Sequence, residues 1–328
     1  MEKEILEPRH KYNHTPEENG NYDVIIVGTG AVGWGTAMYA RRLGLKTLII
    51  GDLLGGTITM AHAVENYPGF ISISGPNLAK RIENHAKDYE IHILNAGVEN
   101  IELNDKDSKK RFKVSTKNKS FYSKTIIYAT GTKVKKLGVK GEKEFESRGL
   151  SYCALCDGPF TKGKTVAVVG GSDSAVIEAL LLTQYAKKVY IIYRKDKVHP
   201  EEANGKRLEQ CIKEGKIEII SNTNVLEIRG DKFLTEAVLD KPFKGKKELS
   251  LGALFVYVGR TPLSDLAKKI GVKVNSKEEV IINRHAETNI SGFYAAGDIT
   301  DMEFKQAIIG VGEGVTAAYR AYEFINKM

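Results

Sequence analysis

Two thiols stand three residues apart in Cys153-Ala154-Leu155-Cys156, and Asp157-Gly158-Pro159 follows at once. At this spacing a pair can close a small disulfide ring and exchange it, one thiolate attacking a partner disulfide and the other resolving the mixed disulfide. Asp157 can supply or accept the proton that a dithiol exchanges on oxidation; a helix or turn cap is its plainer role. A structural zinc needs four ligands, and the one remaining cysteine, Cys211, stands far away with no second Cys-x-x-Cys. Cys211 occupies an apolar helical position in Arg207-Leu208-Glu209-Gln210-Cys211-Ile212 and reads as packing.

Two glycine-rich turns carry the other chemistry. Gly28-Thr29-Gly30-Ala31-Val32-Gly33 is a complete G-x-G-x-x-G between an apolar run at 22–27 and a stretch of small and apolar residues at 31–43. Such glycines permit the tight turn, close approach of backbone to a pyrophosphate, and helix-on-strand packing, while the helix N-terminus adds N–H groups and positive partial charge. Asp52, after the next strand, is a candidate ribose partner, with a solvated loop carboxylate as the competing reading. The second turn, Gly170-Gly171-Ser172-Asp173-Ser174-Ala175, is degraded, because Ser172 stands where a further glycine is expected and its side chain would crowd a pyrophosphate. After the paired strand comes Tyr193-Arg194-Lys195, cations where a reader of a ribose 2′-hydroxyl would place an acid. They suit a 2′-phosphate, hence NADP over NAD; a basic, solvated strand end is the alternative in so lysine-rich a chain.

These groups need scaffolds. The 328 residues suggest two domains at roughly 150 residues each. With 42% hydrophobic and 27% charged residues, and no run of about 18 apolar residues, the chain reads as globular rather than membrane-embedded. The net charge of +8 (49 Lys and Arg against 41 Asp and Glu) favours acidic or phosphorylated ligands, whereas nucleic acid is not implied because no such motif accompanies the scattered lysines. Three cysteines make a secreted disulfide framework impossible, so the reducing cytoplasm is the expected compartment. Residues 22–50 have the punctuation of a βαβ unit, and the pattern returns at 164–169, 175–183 and 188–193. Between them 98–128 alternates as an antiparallel meander with a polar tip at 104–110. Ala129-Thr130-Gly131 and Val258-Gly259-Arg260-Thr261-Pro262 each follow a strand and read as crossovers. Residues 292–298 read as a strand ending in a Gly-Asp turn, and 304–324 as a long helix of small residues. Residues 1–21, polar and without a secretory apolar stretch, read as a surface extension.

A Cys-x-x-Cys-Asp-Gly followed within 20 residues by a second dinucleotide fingerprint, after a first near the N-terminus, resembles the low-molecular-weight thioredoxin reductases. The resemblance runs from residue 22 to 325 and includes Gly55-Gly56-Thr57, the stretch from Val64 to Phe70, Ala129-Thr130-Gly131, Ala296-Gly297-Asp298 and Lys305-Gln306-Ala307. It implies an α/β fold of two Rossmann-like dinucleotide-binding domains, each a three-layer ββα arrangement, the second inserted into the first. An FAD domain would comprise 22–131 and 260–328, and a nicotinamide-binding domain carrying the dithiol would comprise 132–259. By resemblance, Gly28, Gly30, Ala31 and Gly33 hold the FAD pyrophosphate, with Asp52, Gly56, Thr57, Ala129, Gly131 and Gly297 around the cofactor. Asn66 would lie near the flavin, Asp298 would bond the ribityl chain, and Gln306 and Ala307 would present helix N–H groups to the ring, where they stabilise a reduced flavin's negative charge.

NADPH would occupy Gly170, Gly171, Ser172, Asp173, Ser174, Arg194, Lys195 and His199. The implied cycle passes electrons from NADPH through FAD to the Cys153–Cys156 disulfide and on to thioredoxin or a similar small redox protein. Cys156 would be the flavin-facing sulfur, Cys153 the attacking one and Asp157 the acid and base. A homodimer is implied as well. The chain departs from the family where Tyr193, Lys195 and His199 replace a His-Arg-Arg and a later Arg, and at Ser172, which leaves NADH, ferredoxin or another donor open. Thr57 replaces a Gln and Ala31 a Pro. A redox sensor without turnover is the alternative from another class.

Overall fold

The computed structural model describes residues 7–104 and 106–328. Runs such as Val24-Ile25-Ile26-Val27 are apolar toward both faces, so they suit the middle of parallel sheets covered on both sides. Asn21–Val27 lies there, with Val24 opposite Thr47 on one neighbouring strand and Thr125 on the other. By its internal contacts the chain divides into two compact units, one of residues up to Lys133 with Pro262–Met328, the other Val134–Thr261.

In the first unit the parallel order is His92–Asn95, Thr47–Gly51, Asn21–Val27, Ser120–Tyr128, Phe293–Ala295. Ser120–Tyr128 is long enough to serve two layers. Its C-terminal residues pair with Phe293–Ala295, and its N-terminal residues turn into a meander with Phe112–Thr116 and Val98–Leu103. Helices Ala31–Arg42, Gly75–Lys87 and Ala307–Asn326 form the third layer. Alternation sends Ile25, Val27, Phe112 and Tyr128 into the core on the meander side and Val24, Ile26, Trp34 and Ala317 into the core under the helices. Ala31–Arg42 and Ala307–Asn326 approach closely because Gly314 faces Thr36; a Cβ there would stand 2.0 Å from the Thr36 hydroxyl.

The second unit repeats the plan. Its parallel order is Ile217–Ile220, Lys188–Ile192, Thr165–Val169, Ala253–Val256, Leu150–Ser151. A meander of Val225–Gly230, Leu234–Phe243 and Lys246–Ser250 makes the second layer, and helices Asp173–Leu182 and Glu202–Lys213 the third. The α/β fold with two Rossmann-like units is therefore as the sequence implies.

Three local features differ from the sequence reading or extend it. The last helix begins at Ala307 rather than 304, because Gln306 is its N-cap in extended conformation (φ −130°, ψ 147°). Gly75–Lys87 was not anticipated, although Ser74 accepts from the Asn77 N–H and Pro76 occupies the first turn, both helix-start signals. In the extension, residues 1–6 lie outside the described residues, and the rest is strapped to the first unit. The Arg9 and His10 amides donate to Asp88 Oδ1 at 2.6 and 3.1 Å, the Arg9 guanidinium donates to Oδ2, and the Ile93 amide donates to the His14 carbonyl. Hydrogen bonding by Arg9 holds the Asp88 carboxyl down at about 2. Among the described residues no helix is long and apolar enough to cross a membrane.

Candidate active site

The turn after Asn21–Val27 is built for close approach. Gly28 has φ 122°, and a Cβ on it would stand 2.2 Å from the Ala129 carbonyl oxygen. A Cβ on Gly33 would stand 1.9 Å from the Gly28 carbonyl oxygen, so the helix can start tight against the strand. Gly30 is the N-cap of Ala31–Arg42 without a side-chain cap, and the first turn holds no acidic residue. The leading N–H groups are thus unopposed by local negative charge, as an anionic pyrophosphate requires. Gly30 bridges to Gly55, Gly56 lies 3.6 Å from where a Gly30 Cβ would be, and Thr57 follows in the turn Gly56–Met60. Asp52 is exposed beyond the end of Thr47–Gly51.

The second wall of the same unit comes from the C-terminal segment. Asn66 Nδ2 donates to Gln306 Oε1 at 2.9 Å, which joins two positions 240 residues apart. Gln306 caps the 20-residue helix with no side-chain hydrogen bond to its amides, so the amides from Ala307 onward remain available to an anionic ring edge. The Gly297-Asp298 turn is clamped by Lys305, which the sequence offers only as part of a resembling stretch, and by Glu279 and Glu313, which sequence reasoning passed over. Lys305 Nζ donates to the carbonyls of Thr300 (2.6 Å) and Asp298 (3.3 Å) and pairs with Glu279 Oε1 (3.0 Å), while the Gly297 amide donates to Glu313 Oε2 (2.7 Å). Burial pushes the Glu313 carboxyl up, and its Oε1 is buried without a partner. Asp298 is half-buried at the end of the turn. Gly131 (φ 63°) accepts the Leu263 amide, and Tyr128 and Thr130 donate to the Leu263 carbonyl, which pins the end of Ser120–Tyr128.

Cys153 and Cys156 form a disulfide with Cα atoms 5.3 Å apart, at the start of the short helix Ala154–Asp157. Cys153 is buried and Cys156 exposed. The resemblance assigns attack on a partner to Cys153, the less exposed of the two sulfurs here. The Cys156 amide donates to Cys153 Sγ at 3.1 Å. Asp157 Oδ2 accepts from the Ser151 hydroxyl at 2.6 Å, and Ser151 Oγ accepts from the Cys153 amide at 3.0 Å, so one serine ties acid and dithiol together. Upstream, Tyr152 donates to the buried Glu142, which also takes the Leu137 and Gly138 amides and so fixes the entry to the dithiol. No group of three or more metal-binding side chains occurs among the described residues.

In the second fingerprint Gly170 has φ 152°, and the Tyr193 ring lies directly on Gly171, where a Cβ would meet it at 2.5 Å. Ser172 is the exposed N-cap of Asp173–Leu182, its hydroxyl makes no cap bond, and Ser174 is exposed beside it. Asp173 Oδ1 accepts the Glu201 amide (2.7 Å) and Asn204 Nδ2 (2.9 Å), so this carboxylate holds the start of the next helix. The His199 amide donates to the Gly171 carbonyl, and its ring meets Tyr193 edge-on, with centroids 6.2 Å apart. Arg194 and Lys195 are exposed and form no ion pair among the described residues.

A dithiol beside an acid, on one of two dinucleotide-type units, defines a class. The model of the pyridine nucleotide-disulphide oxidoreductases matches residues 22–314, and the chain belongs to that family. Within it, the thioredoxin reductase of Bacillus subtilis (strain 168) is 35% identical over 94% of this chain and 96% of its own. The crystal structure of Lactococcus lactis thioredoxin reductase in its FR conformation aligns with a TM-score of 0.87 at 35% identity, covering 94% of this chain and all of that one. That of T. acidophilum thioredoxin reductase aligns at 0.85 and 37% identity, covering 93% and 99%.

Proposed function

We propose that the chain is an FAD-dependent thioredoxin reductase that draws electrons from NADPH and delivers them through Cys153–Cys156 to the disulfide of thioredoxin or a similar small redox protein. The dithiol held against Asp157 by Ser151 carries the reading. A bound flavin would supply two-electron transfer between nicotinamide and disulfide. Gly28, Gly30, Ala31 and Gly33 would hold its pyrophosphate, with Asp52, Gly56, Thr57, Ala129 and Gly131 around it. Asn66, Gly297, Asp298, Gln306 and Ala307 would position ribityl chain and ring. Asp157 would exchange a proton with the dithiol, with Ser151 fixing its rotamer. The unpaired Arg194 and Lys195 support a 2′-phosphate, with Gly170, Gly171, Ser172, Asp173, Ser174 and His199 completing the nucleotide cleft. A cytoplasmic homodimer is part of the same proposal.

The Tyr193 ring against Gly171 and the serine at 172 favour a second reading, a dithiol reductase fed by NADH, ferredoxin or another donor. An anaerobic titration of the purified protein, following the flavin band as NADPH and then NADH is added, separates the two. Bleaching by NADPH, with thioredoxin reduction lost in Cys153→Ser while the flavin stays bound, is the expected result. Bleaching by dithionite alone refutes NADPH as donor, and loss of flavin from Cys153→Ser counts against the division of roles.

A further inference from the structure

Glu142 buries a carboxylate that three donors share, and one of them leads to the dithiol. It ends the turn at 137–142 of the unit Val134–Thr261 and is 5% exposed. Its Oε1 accepts the Leu137 amide and the Tyr152 hydroxyl, each at 2.7 Å, and its Oε2 accepts the Gly138 amide at 2.6 Å. Charge-assisted bonds of this kind offset the burial of the charge and leave the carboxylate one orientation. The turn itself is seated on the meander strand Val225–Gly230. Gly138 (φ 76°) and Gly141 (φ 84°) are left-handed, a Cβ on Gly141 would stand 2.1 Å from the Ile228 carbonyl oxygen, and the Ile228 amide donates to the Lys140 carbonyl at 2.9 Å. Burial, and after it the Glu142 carboxylate, push the Tyr152 phenol above its usual range, so it remains the donor.

Tyr152 is the residue before Cys153. On the other side the Ala154 amide donates to the Tyr257 hydroxyl at 3.0 Å, just past the end of the strand Ala253–Val256. Cys153 is thus held from both neighbours, one tied through Glu142 to the meander layer and the other to the parallel sheet. Cys156, by contrast, is exposed, and its amide donates only to Cys153 Sγ. Neither tie involves a sulfur, so opening the S–S bond does not break them. A thiol that keeps its place closes the ring again with less freedom to surrender, which raises its effective concentration toward its partner. We propose that Glu142 is a positioning residue for the redox pair: through Tyr152 it holds Cys153 at closing distance from Cys156 in the reduced protein and so stabilises the disulfide against reduction. The inference rests on the reading of this pair as redox-active.

The test equilibrates the full-length protein anaerobically with reduced and oxidised dithiothreitol at one pH, then quenches, alkylates and weighs it. In that exchange the protein S–S bond breaks, one closes in the reagent, and two electrons and two protons pass to the cysteine sulfurs. Tyr152→Phe, which removes only the hydroxyl, is expected to raise the equilibrium constant for reduction about three- to tenfold, as the return of part of one residue's freedom requires. Glu142→Gln is expected to raise it as well, and the double variant no further than Glu142→Gln alone, because both cut one tie. A bond that merely braces the fold lowers the melting temperature of oxidised and reduced protein alike and leaves this constant at its wild-type value. An unchanged or lowered constant in Tyr152→Phe overturns the inference alone, even where Glu142→Gln folds too poorly to assay, and additive effects of the two variants overturn the shared tie. A wild-type pair that resists reduction overturns the proposed function and this inference with it.

Discussion

Replacing Lys305 by methionine removes a cation from the middle of the clamp on the Gly297-Asp298 turn while keeping most of the side chain's length. Its ammonium serves two carbonyls, Thr300 and Asp298, and one carboxylate, Glu279. The Glu279 side chain is 11% exposed and that of Lys305 29%, so the pair is mostly buried and cutting it strands the acid. Breaking a buried pair costs about 3–5 kcal/mol. The partial exposure of Lys305, and the bonds Glu279 keeps to Asn275, bring the expected loss to about 2–3 kcal/mol. At roughly 2–4 °C per kcal/mol for a unit of this size, the melting temperature should fall by about 5–10 °C. The sign of the pH dependence follows from Glu279. Burial pushes its carboxyl up, but Asn275, Lys305 and Lys277 together outweigh burial and hold it below its usual value. A depressed carboxyl stabilises the fold above its unfolded pKa, and that contribution is lost as pH falls through the folded value. Without Lys305, burial gains the upper hand and the carboxyl rises, so the penalty is full near neutrality and shrinks in mild acid, where Glu279 takes a proton. Circular dichroism melts of both proteins at about pH 7.5 and about pH 5 read this out. Wild-type melting at both values, or a penalty that does not shrink in acid, refutes the clamp.

Two further outcomes follow from the fingerprints. Gly33→Ala, which drives a methyl against the Gly28 carbonyl, should purify with much less flavin per chain, measured as the ratio of flavin to protein absorbance; a full complement would show that the helix start has room to move. Arg194→Ala with Lys195→Ala should raise the KM for NADPH about tenfold or more and leave that for NADH unchanged, because charge-assisted bonds to the 2′-phosphate are lost. An equal effect on both nucleotides would place these cations outside the phosphate site.

The dithiol and both glycine turns were legible because their chemistry needs residues adjacent in the chain, and the apolar runs beside them fixed which strands must be buried. What stayed hidden joins ordinary residue types across long separations. Nothing local marks Lys305 as the hold on the 298–300 carbonyls, Ser151 as the link between Asp157 and Cys153, or Tyr257 as the acceptor of an amide about a hundred residues away. Asp173 carries a structural contact of the same hidden kind. Its place at a phosphate-type helix start suggests a ligand contact, and in the structure Oδ1 also accepts the Glu201 amide and Asn204 Nδ2, a tie to the next helix that no local motif announces. The composition of 304–306 suits a helix, yet the extended Gln306 delays the first turn to Ala307.

The double duty of Ser120–Tyr128 has a consequence for biosynthesis. Its lower half finds its meander partners as soon as it leaves the ribosome, but Ile126, Ile127 and Tyr128 must wait for Phe293, Tyr294 and Ala295. All of the unit Val134–Thr261 is translated in that interval, about 8–30 s at roughly 5–20 residues per second. The inserted unit can thus complete itself on the nascent chain while the host sheet carries an open, apolar edge, the kind of edge that recruits strands from other chains. Truncation anywhere between Thr261 and Phe293 leaves that edge permanently unsealed, so such fragments should aggregate through the first unit even though the second is whole.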